Sequence, residues 1–212
     1  MLFSGFTTGW FMNLLYSLPA ILIALSFHEF AHAWAAWRMG DPTAKNAGRL
    51  TLDPIRHLDL IGTVCIILFQ FGWAKPVPIN PRNFKHPKRD EILVSLAGVA
   101  MNFLISFIAF AVLAIVYKGV VGDIASTIID YIMILNIYFG VFNLIPIPPL
   151  DGFHIISALF IKKAGQVVAA LYRYGFIILF ILLLTGAFSF IMKAALNGVL
   201  SVYISIFSPF LQ

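Results

Sequence analysis

Five apolar runs, each long enough to cross a bilayer, limit what this chain can become. They cover about residues 10–37, 92–117, 124–146, 167–184 and 188–207. A hydrocarbon core about 30 Å thick takes about 20 residues of helix. Inside it every backbone N–H and C=O must be paired within the protein, so the runs are read as transmembrane helices. Composition agrees: 61% of the residues are hydrophobic and 11% charged. In 212 residues the spans leave little room for an extramembrane domain, so one domain over 1–212 is expected. The first run has no basic flank before it and is expected to remain in the mature protein.

A sixth run, 60–73 (LIGTVCIILFQFGW), is shorter and rich in Val, Ile, Phe and Thr. Its composition suits strands, and charge decides whether it crosses. If it does, the basic residues before it (Arg38, Lys45, Arg49, Arg56) and after it (Lys75, Arg82, Lys85, Lys88, Arg89) fall on opposite sides. If it turns back, those nine and Lys162, Lys163 and Arg173 share one side, leaving only Lys118 and Lys193 on the other. The positive-inside tendency selects the second arrangement. The expected fold is therefore an all-α polytopic membrane protein, with about five transmembrane helices and a membrane-associated re-entrant β-hairpin. Its N-terminus is outside, and residues 38–91 and the C-terminus are cytoplasmic. Pro76, Pro78 and Pro81 make AKPVPINPRNF an extended loop or edge strand, to which another chain could add. The net charge of +5 comes from loop cations that report orientation, so nucleic acid is not expected as a partner. Cys65, alone in an apolar run, is read as packing.

The chemistry concentrates in HEFAH, residues 28–32, inside the first span. Residues four apart share a helix face, so His28 and His32 can reach one ion. Glu29, beside the first ligand, can act on a water without ligating. The bland alternative is a helix end whose polar residues snorkel to water, but ionisable groups inside a span are functional by default. A catalytic zinc takes three protein ligands, and Asp151 in NLIPIPPLDG is the candidate third, freed to turn inward by Pro146, Pro148 and Pro149. By itself it also reads as a turn or cap residue.

HEFAH in one span, NLIPIPPLDG after a later one, SLAGVAMN (95–102) between them and FGWAKPVP (71–78) together resemble the site-2 protease family of intramembrane metalloproteases. The resemblance covers about residues 20–160, a catalytic core followed by C-terminal helices at about 165–208. It implies one Zn2+ per chain held by His28, His32 and Asp151, with Glu29 as the base in hydrolysis of peptide bonds within or near transmembrane segments. It also implies that Asn102 and Asn143 belong to the core, as donors to the substrate carbonyl or as interhelical links. Where many members read AGP, this chain has Ala97, Gly98 and Val99, and no inserted PDZ domain fits the length. The expected partners are single-span membrane proteins and the lipid bilayer, and a homo-oligomer is left open.

Two other classes fit the residues less well. A zinc transporter needs further ligands along a path, which the other spans lack. A non-cutting homologue is expected to have lost Glu29 or a ligand. His154, three residues after Asp151, is a candidate outer-sphere partner of the metal site. His57 and His86 are read as solvated loop histidines. In GRLTLDP (48–54), a segment also common among bacterial relatives, Asp53 is read as a turn or cap, as is Asp59 beyond it.

Overall fold

The computed structural model describes residues 8–69, 72–116 and 122–208, and statements of absence below concern those residues. In chain order the helices are α1 (Thr8–Arg38), α2 (Thr43–Asn46), α3 (Pro54–His57), α4 (Leu60–Phe69), α5 (Pro87–Val116), α6 (Asp123–Asn143), α7 (Asp151–Leu184) and α8 (Gly186–Phe207). Five segments are long and apolar enough to cross a membrane: Gly9–Arg38, Pro87–Ala114, Asp123–Asn143, Gly165–Leu184 and Gly186–Phe207. The polytopic helical reading holds.

Helix boundaries follow local chemistry. Pro87 opens α5, where a missing N–H costs nothing, and Asp90 reaches back to the His86 N–H at 2.8 Å. α6 stops at Asn143, shortly before Pro146, Pro148 and Pro149. Lipid gives apolar side chains no reason to leave it, so helices associate through small residues that allow close approach. α1 supplies them: Ala20, Ala24, Ala31 and Ala35 are buried, while Phe11, Leu15 and Trp34 face outward.

Pairwise contacts set the directions. His28 meets Asn102 and His32 meets Val94, so α1 and α5 are antiparallel. Asn13 meets Tyr131 and His28 packs on Phe139, so α1 and α6 are parallel. Phe188 packs on Phe142, while Tyr203 reaches Ser106 and Phe207 packs on Phe110, so α8 runs parallel to α5 and antiparallel to α6. A buried cluster of Ala109, Met133, Ile137 and Tyr203 joins the three.

Two expectations need correction. The run from residue 60 is not a β-hairpin: α4 covers Leu60–Phe69, and the described residues contain no strand, only an isolated antiparallel bridge between Leu58 and Ala74. A helix pairs its backbone internally, whereas a two-stranded ribbon in lipid leaves both edges unpaired. The run does turn back, as charge suggests, because Leu58 and Ala74 lie side by side. The edge expected of the hairpin reduces to the extended stretch after Ala74. Nor does α8 run antiparallel to α5, as a cytoplasmic C-terminus requires: Phe207 packs on Phe107 and Phe110, and the two helices run parallel. The cause lies in α7. It breaks at Ala164 (φ −133°, ψ 37°), beside Gly165, and folds back. The Phe153 and Tyr172 rings meet at 4.6 Å, and Gly175 rests on Pro148.

Candidate metal centre

α1 presents His28 and His32 one turn apart on the face packed against α5, and both are buried. Their tautomers follow from their partners. His32 Nδ1 lies 2.8 Å from the Val94 carbonyl oxygen, which can only accept, so the hydrogen sits on Nδ1. Asn102 Nδ2 donates to Ala24 O (3.1 Å) and to Asn136 Oδ1 (2.9 Å), which turns Asn102 Oδ1 toward His28 Nδ1 at 2.7 Å. His28 is therefore also protonated on Nδ1. In the neutral rings both Nε2 atoms are left with lone pairs, 2.9 Å apart.

The third element is the turn after α6. Asp151 is the first residue of α7, and Gly152 follows it where a Cβ would run into the Leu144 carbonyl, so only glycine lets the turn close this tightly. Closure places Asp151 Oδ2 3.2 Å from each Nε2. The two imidazoles send it no hydrogen, and this buried oxygen has no hydrogen-bond donor. Three lone-pair atoms, all within 4.8 Å of one another, thus point into one volume. Without a cation they repel; with one they are a His2Asp ligand set, each histidine oriented through its other nitrogen. The residues fit a zinc ion.

α5 lies against the two histidines at Gly98. A Cβ there would stand 2.5 Å from His32 Nε2 and 2.7 Å from His28 Cε1, so the helix can reach the centre only without a side chain. Glu29, next to His28, accepts the Val77 N–H at 2.8 Å through Oε2.

The other expected residues separate. Asn102 spends both amide hydrogens on Ala24 and Asn136, so it links helices and orients His28, and it has none left for a substrate. Asn143 is buried and gives one hydrogen to Phe139 O at 3.0 Å. His154 faces Glu91, with Nδ1 3.5 Å from Oε1, rather than the ligands. Asn136, fully buried, completes the orienting chain by donating to Ile132 O, and sequence reasoning passed over it. A signal was available: Asn136 lies two turns before Asn143 inside a span, where a polar residue needs a partner. His57 is corrected from solvated to fully buried. Asp53 caps α3 through the Ile55 N–H and Asp59 caps α4 through the Gly62 N–H, as expected.

Residues 115–183 match peptidase family M50. The chain is 38% identical over 206 residues to the Bacillus subtilis protein named "Putative zinc metalloprotease YwhC", covering 92% of this chain and 94% of that one. It is 30% identical over 174 residues to "Putative zinc metalloprotease Rip2" of Mycolicibacterium smegmatis, covering 78% of this chain and 65% of that one. With "Zinc metalloprotease MJ0392" of Methanocaldococcus jannaschii the identity is 28% over 145 residues, 68% of this chain and 34% of that one. No solved structure matches. Similarity along nearly the whole length of a relative, with a buried site built to take zinc, leads to one assignment: the chain belongs to peptidase family M50, the zinc-dependent site-2 protease family.

Proposed function

We propose that this protein hydrolyses peptide bonds within or near the transmembrane segments of single-span membrane proteins, with His28, His32 and Asp151 as zinc ligands and Glu29 as general base. The observation that carries this reading is the convergence of three lone pairs beside a glutamate that ligates nothing. Zinc held by His28, His32 and Asp151 would supply a Lewis acid for the scissile carbonyl and the attacking water. Glu29 takes the proton of the attacking water and returns it to the leaving amine. The second amide hydrogen of Asn143 is offered to the developing oxyanion.

The surroundings support an apolar substrate. A cavity of about 430 Å3 runs between Ala24 and Leu25 of α1, Phe139 and Phe142 of α6, and Met192 of α8. The Phe139 ring meets His28 edge-on at 5.2 Å, so this cavity adjoins the candidate centre. A helical span shields its own peptide bonds, so the substrate unwinds before it is cut. The described Lys and Arg residues gather at the centre's end of the bundle, which supports a cytoplasmic orientation for that end.

Cleavage of a panel of single-span substrates in detergent, by wild type and Glu29→Gln with zinc assayed on both, tests the reading. Wild type alone should cut, within the span, with both proteins zinc-loaded. Two metal-loaded proteins that are equally silent would remove it.

A further inference from the structure

The GRLTLDP segment and the prolines of AKPVP lie outside the metal centre, yet buried polar groups join them to it. Arg49 and His57 are 7% and 0% exposed, unusual for loop residues of their type. Arg49 Nη2 donates to the Lys75 carbonyl at 2.6 Å. His57 Nε2 donates to Thr51 O at 2.8 Å, which leaves Nδ1 with its lone pair facing Arg49 Nη2 at 3.5 Å. The Lys75 N–H donates to His57 O at 2.9 Å. One end of the extended stretch is thereby pinned on both sides of a single residue. The other end is pinned where the Asn80 N–H meets Asp41 Oδ2 at 2.7 Å.

Between the pins stand Pro76, Val77 and Pro78. The prolines hold the chain extended and carry no N–H. Val77 is then the single amide donor between Lys75 and Ile79, and it goes to Glu29 Oε2 at 2.8 Å. The Val77 side chain is buried with Ala33 and Ala44, which fixes the amide's direction from behind. One oxygen of Glu29 is held and the other is left for proton transfer.

We propose that Arg49, His57 and the Pro76–Val77–Pro78 bracket form a positioning device for Glu29, with the Val77 amide setting the carboxylate's rotamer and Arg49 as the positioning residue that sets the amide. This rests on Glu29 being the base. A glutamate has three side-chain torsions to restrict, and a general base acts only within hydrogen-bond reach of its proton. An amide held by two buried side chains supplies that restriction.

The test uses the full chain in detergent. Val77→Pro removes the donor and keeps an extended backbone. Arg49→Ala frees the Lys75 carbonyl, and Arg49→Lys keeps a donor for it. The expected result is a fall in kcat of about 10- to 100-fold for Val77→Pro and Arg49→Ala. KM should stay within about twofold and zinc at about one per chain, with Arg49→Lys regaining most of the loss. Hydrogen exchange gives a readout independent of turnover. Glu29→Ala should speed exchange in the peptide covering residues 72–80 by about one amide, and Arg49→Ala should speed it in the same peptide while α1 is unchanged. Val77→Pro with wild-type kcat, a loss confined to KM, or exchange insensitive to Glu29→Ala would overturn the proposal. Zinc-loaded wild type that cuts nothing, with the exchange link intact, would instead overturn the base reading and this role with it.

Discussion

At the scale of single residues, the two candidate histidine ligands were legible because their spacing is their mechanism: His28 and His32 are one helical turn apart wherever the helix goes. What orients them was not. Asn102 and Asn136 come from different helices, and their pairing depends on how α5 and α6 pack. Asn102→Ala removes the acceptor for His28 Nδ1 and strands Asn136, so zinc affinity should fall about 10- to 100-fold in a chelator competition. An unchanged affinity would mean that His28 needs no orienting partner. Gly98 makes a sharper case. In Gly98→Ala the new methyl overlaps both imidazoles, and packed sites answer such overlap with about 1–3 kcal/mol of strain. The variant should insert and fold yet hold well under one zinc per chain after dialysis; a stoichiometric load would show that α5 can retreat.

At the scale of elements, composition misled at 60–69. Val, Ile and Thr favour strands where a sheet exists to receive them, and here there is none, so backbone pairing in an apolar setting selects a helix. The extended stretch after it was readable from its prolines, but its anchor was not. Asp41 accepts from the Thr43 N–H and hydroxyl, the Asn80 N–H and the Asn83 amide, uniting residues 39 and 42 positions apart. Burial pushes its carboxyl up, and the hydrogen bonds from Thr43, Asn80 and Asn83 outweigh that and hold it below the usual carboxylate range. A depressed folded value means stability that is complete above about pH 4, the unfolded value, and lost as pH falls from there toward the folded one. A fluorophore on Lys85→Cys, in a Cys65→Ser background, should report release of the stretch on acidification through that window. The same probe in Asp41→Asn should show the stretch already loosened at neutral pH and no acid transition.

At the scale of the whole molecule, hydropathy identified five candidate spans, and all five are helical. It could not say that α7 doubles back. The break at Ala164 and the edge-to-face contact of Tyr172 with Phe153 are tertiary choices, and they reverse the direction of α8. With α8 parallel to α5, Lys193, which lines the cavity beside Phe139, falls in the half of α8 nearer the candidate centre. Single cysteines in the Cys65→Ser background check it: Ser208→Cys and Gly122→Cys should react with an impermeant maleimide from one face, and Arg56→Cys from the other. Reaction of Ser208→Cys together with Arg56→Cys would restore a fifth crossing. The sequence by itself determined the solvent this protein folds in, the helices that solvent demands and the candidate histidine ligands placed by helical periodicity, because each depends on residues near one another in the chain. Only the tertiary structure decided which asparagine orients His28, where Arg49 and His57 are buried, how Glu29 is held and which way α8 runs. Those depend on contacts between distant segments, and hydropathy and local spacing do not encode them.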